Sequence, residues 1–266
     1  MQTNTENVSE AFSQQSLVFD TIYRENLLSE YMRQQFRTEL LRTLKKDAHI
    51  LELNCGTGMD TVFFAEQGYK IFAIDNAEGM LQQLRHKVHT LQLQDRIEVQ
   101  RCNFEHLETL QPRKFDHIYS NFSGLNCTEH LDKVLQSFRP LLNPGGKVSL
   151  VIMPRICPWE NIMLLKGKWK TAFRRFKKNG TMAHIEGVHF KTWYYNPSYV
   201  IRTLKPDFKL LSLKGICITV PPPFIENFVE RYPRWFSVLQ GIDRHIAHWF
   251  PFTWCCDQYM ITLELR

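Results

Sequence analysis

Apolar residues fall along the chain in two alternating rhythms. Short runs at 48–53, 69–74, 97–102, 115–120 and 147–153 have the length and β-branched or aromatic content of buried strands. Between them, apolar positions recur every three or four residues. Met80, Leu81, Leu84, Val88 and Leu91 form one such stripe, and Leu131, Val134, Leu135, Phe138, Leu141 and Leu142 another. A helix over 59–67 separates the first two strands. Upstream, Ile22, Leu27, Leu28, Tyr31, Phe36, Leu40, Leu41 and Leu44 predict one long helix or two shorter ones over 19–44, while polar residues 1–15 are expected to fray. Asn143-Pro144-Gly145-Gly146 punctuates the last helix. Strands alternating with helices in this way specify a parallel, doubly wound α/β sheet.

The alternation fails after residue 153. Residues 154–195 read as an insertion, with a hairpin-like stretch at 183–190, lying as a cap over the carboxyl edge of the sheet. A helix over 196–204 and strands over 208–220 and 258–265 then complete the sheet, with Pro221-Pro222-Pro223 and an aromatic-rich connection over 224–248 between those strands. The expected architecture is a seven-stranded, mostly parallel Rossmann-like sheet. It divides into N-terminal helices plus a binding core (1–153), the cap (154–195) and the completing segment (196–266).

With 266 residues, 44% of them hydrophobic, the chain can bury a substantial core. It has no run of eighteen apolar residues, so no membrane-spanning helix is expected. Its polar start lacks the pattern of a signal peptide, which reads as a cytoplasmic protein. Seven scattered cysteines without Cys-x-x-Cys or Cys/His spacing give reduced thiols and no metal site as the expectation. The net charge of +6 is unevenly placed: seven basic residues and no acidic one lie between Lys166 and Lys178.

The first strand ends in Glu52, and Asn54, Gly56 and Gly58 follow at the turn into the next helix. Glycines there let a ligand approach bare backbone at a helix N-terminus. The second strand closes on Asp75, 23 residues beyond Glu52, where doubly wound folds keep an acid for the hydroxyls of a ribose. Asn103 and Ser120 end the third and fourth strands, so polar groups converge on one sheet edge. This is the pattern of a nucleoside-type cofactor site. An ordinary strand-to-helix turn, with Asp75 a helix cap, Asn103 a turn residue and Met80 plain core, is the bland alternative.

Glu-x-Asn-x-Gly-x-Gly, Asp75, Asn103-Phe104 and Pro144-Gly145-Gly146 together resemble the class I S-adenosylmethionine-dependent methyltransferases, over about residues 20–153 and more loosely at the C-terminal strands. Two positions depart from the family pattern. Asn54 replaces the usual first glycine, and Asn103 the usual acid after the third strand. Asparagine tolerates the left-handed conformation the first position asks for. The resemblance implies S-adenosyl-L-methionine as cofactor, with Glu52, Asn54, Gly56 and Gly58 lining its methionine part. Asp75 would accept from the ribose, with Asn76 and Met80 beside ribose and adenine. Asn103 and Phe104 would frame the adenine, and Ser120 and Asn121 would face the methionine end. A pyrophosphate would be repelled by Glu52, and Thr61 stands where a dinucleotide fold needs its third glycine. An NAD(P)-dependent oxidoreductase is therefore the weaker reading, beside a non-catalytic nucleoside-binding module.

The implied reaction is in-line methyl transfer to a small acceptor. Its catalysis rests mainly on alignment and desolvation, with a general base for a hydroxyl acceptor. His184, His189, Tyr194 and Tyr195 in the cap are candidates for that base. His189 comes first because a hairpin over the active edge would aim it at the methyl group, and Tyr195 is the second choice. The loop Ser120-Asn121-Phe122-Ser123 lacks the paired prolines of amino-methylating nucleic-acid enzymes. The aromatic wealth of the cap points to an apolar or aromatic acceptor, with O- or C-methylation favoured over N. Residues 166–178 read as a solvated helix face with Trp169, Phe173 and Phe176 turned inward. The competing readings are a peripheral contact with an anionic membrane or acidic carrier protein, and, less favoured, RNA binding.

Overall fold

The computed structural model describes residues 2–266. The apolar runs become β1 (His49–Leu53), β2 (Lys70–Asp75), β3 (Ile97–Arg101), β4 (Phe115–Ser120) and β5 (Leu142–Ile152). A separate hairpin is formed by β6 (Thr181–Ile185) and β7 (Val188–Thr192), and β8 (Phe208–Ile216) and β9 (Gln258–Leu265) close the main sheet. The sheet order is β3-β2-β1-β4-β5-β9-β8, parallel from β3 to β5, with β9 antiparallel to both of its neighbours. Chain direction along the sheet reverses between β1 and β4, which opens a crevice at their carboxyl ends.

Both faces of the sheet are covered. Leu51, Leu53, Phe72, Ile74, Phe115 and Ile118 belong to one fully buried cluster; Ile50, Ile71, Ala73 and Tyr119, from the same strands, belong to the other. Neighbouring strand residues point to opposite faces, so a strand buried on both sides reads as a continuous apolar run. The second cluster receives Phe36 from α2 (Leu27–Leu41), whose ring packs against Phe64 and Tyr119.

The largest departure from expectation is at the N-terminus. Residues of the stretch expected to fray form α1 (Asn4–Glu25), started by a capping box in which Thr3 and Glu6 satisfy each other's backbone N–H groups. Asn26 ends α1 and caps α2, so the single periodic stretch over 19–44 is two helices meeting at an asparagine. The 3.6-residue pattern of α1 is diluted by serine and glutamine, and it is the fold around the helix that holds it. Asn4 bonds the carbonyls of Cys127 and Lys191, Asn7 that of His189, and the Phe12 and Phe190 rings lie 6.0 Å apart. The inserted hairpin thus acts at the carboxyl edge by clamping α1.

The rest of the insertion is short turns: α6 (Pro158–Asn161), a 3₁₀ turn (Ile162–Lys166), α7 (Trp169–Ala172) and a second 3₁₀ turn (Arg174–Phe176). It is anchored by a buried charge network. Glu160 accepts from Arg174 and Arg175, and Arg175 also pairs with Asp257 at 2.6 Å, at the entry to β9. Cys157 joins this cluster, the group of described residues close enough to share a metal ion, but arginines already neutralise its two carboxylates. Trp169, Phe173 and Phe176 do not turn inward as expected; all three are exposed. The aromatic-rich connection forms α9 (Phe228–Arg231) and α10 (Pro233–Ile246), and Tyr31 of α2 packs edge-on against Phe236.

The first glycine turn leads into α3 (Met59–Glu66), and β2 leads into α4 (Glu78–Thr90). Gly58 sits at φ +80°, and a Cβ there would fall 2.2 Å from Cδ1 of Leu84 on α4. Its bareness lets α4 pack against the turn. Gly58→Ala should therefore cost about 1–3 kcal/mol in urea denaturation, from overpacking plus left-handed strain. Combining it with Leu84→Ala should cost less than the sum of the two single changes; strict additivity would show that the contact is unimportant.

Candidate functional site

The crevice at the switch point is lined on one side by strand ends: Glu52, Asn54, Cys55 and Gly56 after β1, Asp75, Asn76 and Ala77 after β2, Asn103, Phe104 and Glu105 after β3, and Asn121 and Phe122 after β4. The opposite wall is α1, which contributes Thr5, Val8, Ser9, Phe12, Phe19 and Tyr23. One wall is polar and built from loops. The other is mostly apolar and built from a helix.

Asp75 organises the polar wall. One carboxylate oxygen accepts the Gly56 N–H at 2.9 Å and the other the Ala77 N–H at 2.8 Å, so a single side chain joins the β1 and β2 turns. Burial raises its pKa, against the opposing pull of those N–H groups. Each oxygen keeps a lone pair for a further donor. Gly56 lies at φ +56°, and the space beside it is open up to the Phe19 ring at 3.9 Å. Asn54 adopts φ +46°, the left-handed conformation its position asks for. Its side chain is tied to the β4 loop: the amide donates to the Asn121 carbonyl, and the oxygen accepts from Ser120 at 2.6 Å. Gly124 must lack a Cβ, which would fall 2.4 Å from Asn54.

Beneath this turn lies a buried charge relay absent from the sequence reading. Asp60, at the first turn of α3, binds Arg33 at 2.8 Å and Arg37 at 2.7 Å, both from α2, and accepts from the Asn121 amide. Burial works against the Asp60 charge, but the two guanidinium groups outweigh it and its pKa is lowered. Arg33 lies over the Phe122 ring at 4.4 Å, and its Nε is buried without a hydrogen-bond partner among the described residues. Glu52 is in the opposite condition. Burial, reinforced by Asp60, pushes it up to about 8, although Thr61 donates to it at 2.5 Å.

Helix α1 is latched to the polar wall. Ser9 donates to the Asn76 carbonyl, Ser13 accepts from Gly79, and Asp20 accepts from Thr57 of the glycine turn and from Lys87 of α4. Phe19 stacks on Tyr23 at 4.3 Å, and Tyr23 meets Phe122 edge-on. The sequence signal for this wall was present in the Thr3/Glu6 pair and in the spacing of Val8, Phe12, Phe19 and Tyr23.

Glu52, Asn54, Gly56, Asp75, Asn76, Met80, Asn103, Phe104 and Asn121 thus come together in one crevice. Six expected site residues do not line it, the candidate bases His184 and Tyr194 among them. Gly58 packs against Leu84, and Ser120 is fully buried with its hydroxyl on Asn54. His189 is exposed, its ring beside that of His184 at 4.5 Å on the far side of the hairpin from α1. It fails as the methyl-facing base because the hairpin presents Phe190, its neighbour on the opposite face, to α1. Tyr195 is buried, donates its hydroxyl to the Thr128 carbonyl, and has its pKa raised by burial. The Asn103 oxygen already accepts the Glu105 N–H, a turn role that leaves its amide free.

Residues 50–146 match the family model described as a methyltransferase domain. The chain is 27% identical over 198 residues to a demethylmenaquinone methyltransferase of Lactiplantibacillus plantarum, covering 71% of this chain and 78% of that one. It is 27% identical over 113 residues to an S-adenosyl-L-methionine-dependent Diels-Alderase of Talaromyces variabilis, covering 42% of this chain and 38% of the relative. The CcbJ methyltransferase of Streptomyces caelestis has the same fold, with a TM-score of 0.56 at 14% identity over 85% of this chain and 86% of that one. Residues 50–146 are thus a methyltransferase domain similar to S-adenosylmethionine-dependent enzymes, and these likenesses support S-adenosyl-L-methionine as its cofactor. The matched segment is the one where a dinucleotide fold would carry its own fingerprint.

The residues present fit that cofactor. Open backbone at Gly56, spare lone pairs on Asp75, an orphaned guanidinium nitrogen on Arg33 and a carboxyl group at Glu52 suit an adenosyl group carrying a zwitterionic amino acid. Burial pushes Glu52 up to about 8 in the free protein, whereas a ligand's α-ammonium group beside it favours the ionised form. Binding should therefore release a proton below that pH, and affinity should rise as the pH climbs toward 8. Calorimetric titration with S-adenosylhomocysteine in buffers of different ionisation enthalpy measures the release. Glu52→Gln should abolish it, and a release unchanged in that variant would assign the proton elsewhere.

Proposed function

We propose that the chain transfers the methyl group of S-adenosylmethionine to a small, largely apolar or aromatic acceptor, at oxygen or carbon in preference to nitrogen. The observation that carries this reading is the two-sided crevice. Its polar wall meets the cofactor's needs and is consumed by them. Its apolar wall, with Val8, Phe12, Phe19 and Tyr23, is left for a second molecule. In this reading Asp75 accepts from the ribose hydroxyls, Asn103 and Phe104 frame the adenine, Glu52 faces the α-amino group, and Arg33 takes the carboxylate.

When bound, S-adenosylmethionine would supply an electrophilic methyl group to an electron pair on the acceptor's oxygen or carbon, the acceptor's proton passing to solvent. Apart from the carboxyl groups of Glu52, Asp60 and Asp75, which this reading commits to the cofactor and to Arg33 and Arg37, the lining offers little basicity to assist. Burial raises the Tyr23 hydroxyl and pushes the Cys127 thiol up to about 12, while Glu105 is engaged by Thr128. The chain's own part is then to align the acceptor, exclude water and hold the methyl in line. That suits an acceptor nucleophilic without help, such as an acidic phenol, an enol or the carbon of a hydroquinone. The name of the Lactiplantibacillus relative, a demethylmenaquinone methyltransferase, agrees with a quinone-like acceptor.

The same crevice also supports a second reading, a cofactor-bound scaffold that acts on an apolar guest without methylating it; the Talaromyces relative is named a Diels-Alderase. Methyl-labelled S-adenosylmethionine offered with phenolic, enolic and naphthoquinol acceptors separates the two. Label in the acceptor is expected; turnover of the guest with the label retained on the cofactor would favour the second. Asp75→Ala should weaken S-adenosylhomocysteine binding by about 1.5–3 kcal/mol for each lost hydrogen bond to the carboxylate, and unchanged affinity would remove the ribose assignment.

A further inference from the structure

Residues 162–178 carry an exposed apolar surface for which the methyl-transfer reading has no use. Leu165 is 87% exposed, Trp169 64%, Phe173 49% and Phe176 47%. The three rings adjoin one another, with centroids 6.3 Å apart for Trp169–Phe173 and 6.2 Å for Phe173–Phe176. Large neighbouring aromatics left in water mark a contact surface, because a soluble protein gains nothing by exposing them together.

The charges around these rings identify the partner. The segment's two arginines are drawn inward onto Glu160 and Asp257, while Lys166, Lys168, Lys170, Lys177 and Lys178 are exposed, with no acidic residue among them. Arginine's planar fork is the group that recognises an individual carboxylate, as docking on an acidic protein requires. Lysine is a flexible point charge that suits a diffuse field of anionic headgroups, and its alkyl stem lets the ammonium rise to the interface while neighbouring rings sink below it. The segment leaves the sheet at the carboxyl end of β5, the edge that also carries the cofactor crevice.

We propose that residues 162–178 dock the protein peripherally on an anionic lipid bilayer, with Leu165, Trp169 and Phe173 entering the headgroup–acyl boundary and the lysines facing the headgroups. The anchor is interfacial: among the described residues, no helix is long and apolar enough to cross a membrane. This inference does not rest on the methyl-transfer reading, since vesicle binding is scored without cofactor.

Co-sedimentation of the full chain with vesicles of phosphatidylcholine alone, and of an equal mixture with phosphatidylglycerol, tests it. Binding is expected to the anionic vesicles, weakened by salt. It should fall at least about tenfold in Trp169→Ser/Phe173→Ser and in Lys166→Gln/Lys168→Gln/Lys170→Gln. The variants should keep the wild-type thermal midpoint and S-adenosylhomocysteine affinity. Wild-type protein that stays in the supernatant, or variants that sediment as well as wild type, would overturn the proposal. So would retention on an immobilised acidic acyl carrier protein without vesicle binding, which would assign the surface to a protein partner.

Discussion

The carboxylate of Asp75 is the joint on which the crevice depends. It stands at the end of β2 and holds the N–H groups of Gly56 and Ala77, so two turns that share no covalent neighbourhood are fixed to each other. Burying a carboxylate is costly, and backbone donors on both of its oxygens are what make this one tolerable. The consequences spread outward. Gly56 is held left-handed, Asn54 can reach across to the β4 loop, and Asn121 from that loop closes on the Asp60–arginine group beneath. The reversal of strand order creates the gap; this set of hydrogen bonds gives it a shape.

Helix α1 covers that open edge and turns it into a two-walled crevice. Its polar residues latch to Thr57, Asn76 and Gly79, and its aromatic residues supply the apolar wall. The helix is held from outside by the β6–β7 hairpin, whose Thr181 donates to the Arg174 carbonyl beside the Arg174/Arg175–Glu160–Asp257 network just ahead of β9. The hairpin supplies no residue to the crevice lining, yet it packs on the helix that does, through Phe190 on Phe12.

The sheet was legible because strands buried on both faces must be apolar throughout, and the glycine turn because bare backbone there has few substitutes. Asp75 could be placed by its distance from Glu52 and its position after a strand. Side-chain direction was less accessible. Trp169, Phe173 and Phe176 share a spacing that fits a buried stripe and an exposed one equally well, and only the turns around them settle which it is. Gly58 and Gly56 look alike in sequence, yet Leu84 occupies the space at one and the crevice opens at the other. His189 and Phe190 differ by one position, which in a strand exchanges the two faces. Polarity hides the N-terminal helix: α1 takes its stability from what it covers, and only its capping box and sparse aromatic stripe mark it in the sequence.

Hydrogen–deuterium exchange with and without S-adenosylhomocysteine reports most directly on whether α1 and the Asp75 turns enclose the cofactor. Amides of α1, of Gly56 and Thr57, and of Asn76 and Ala77 should slow together on binding, while those of Lys166 to Lys178 stay unchanged. Binding that leaves α1 exchange unaltered, or that protects a different surface, would contradict a crevice walled by the N-terminal helix.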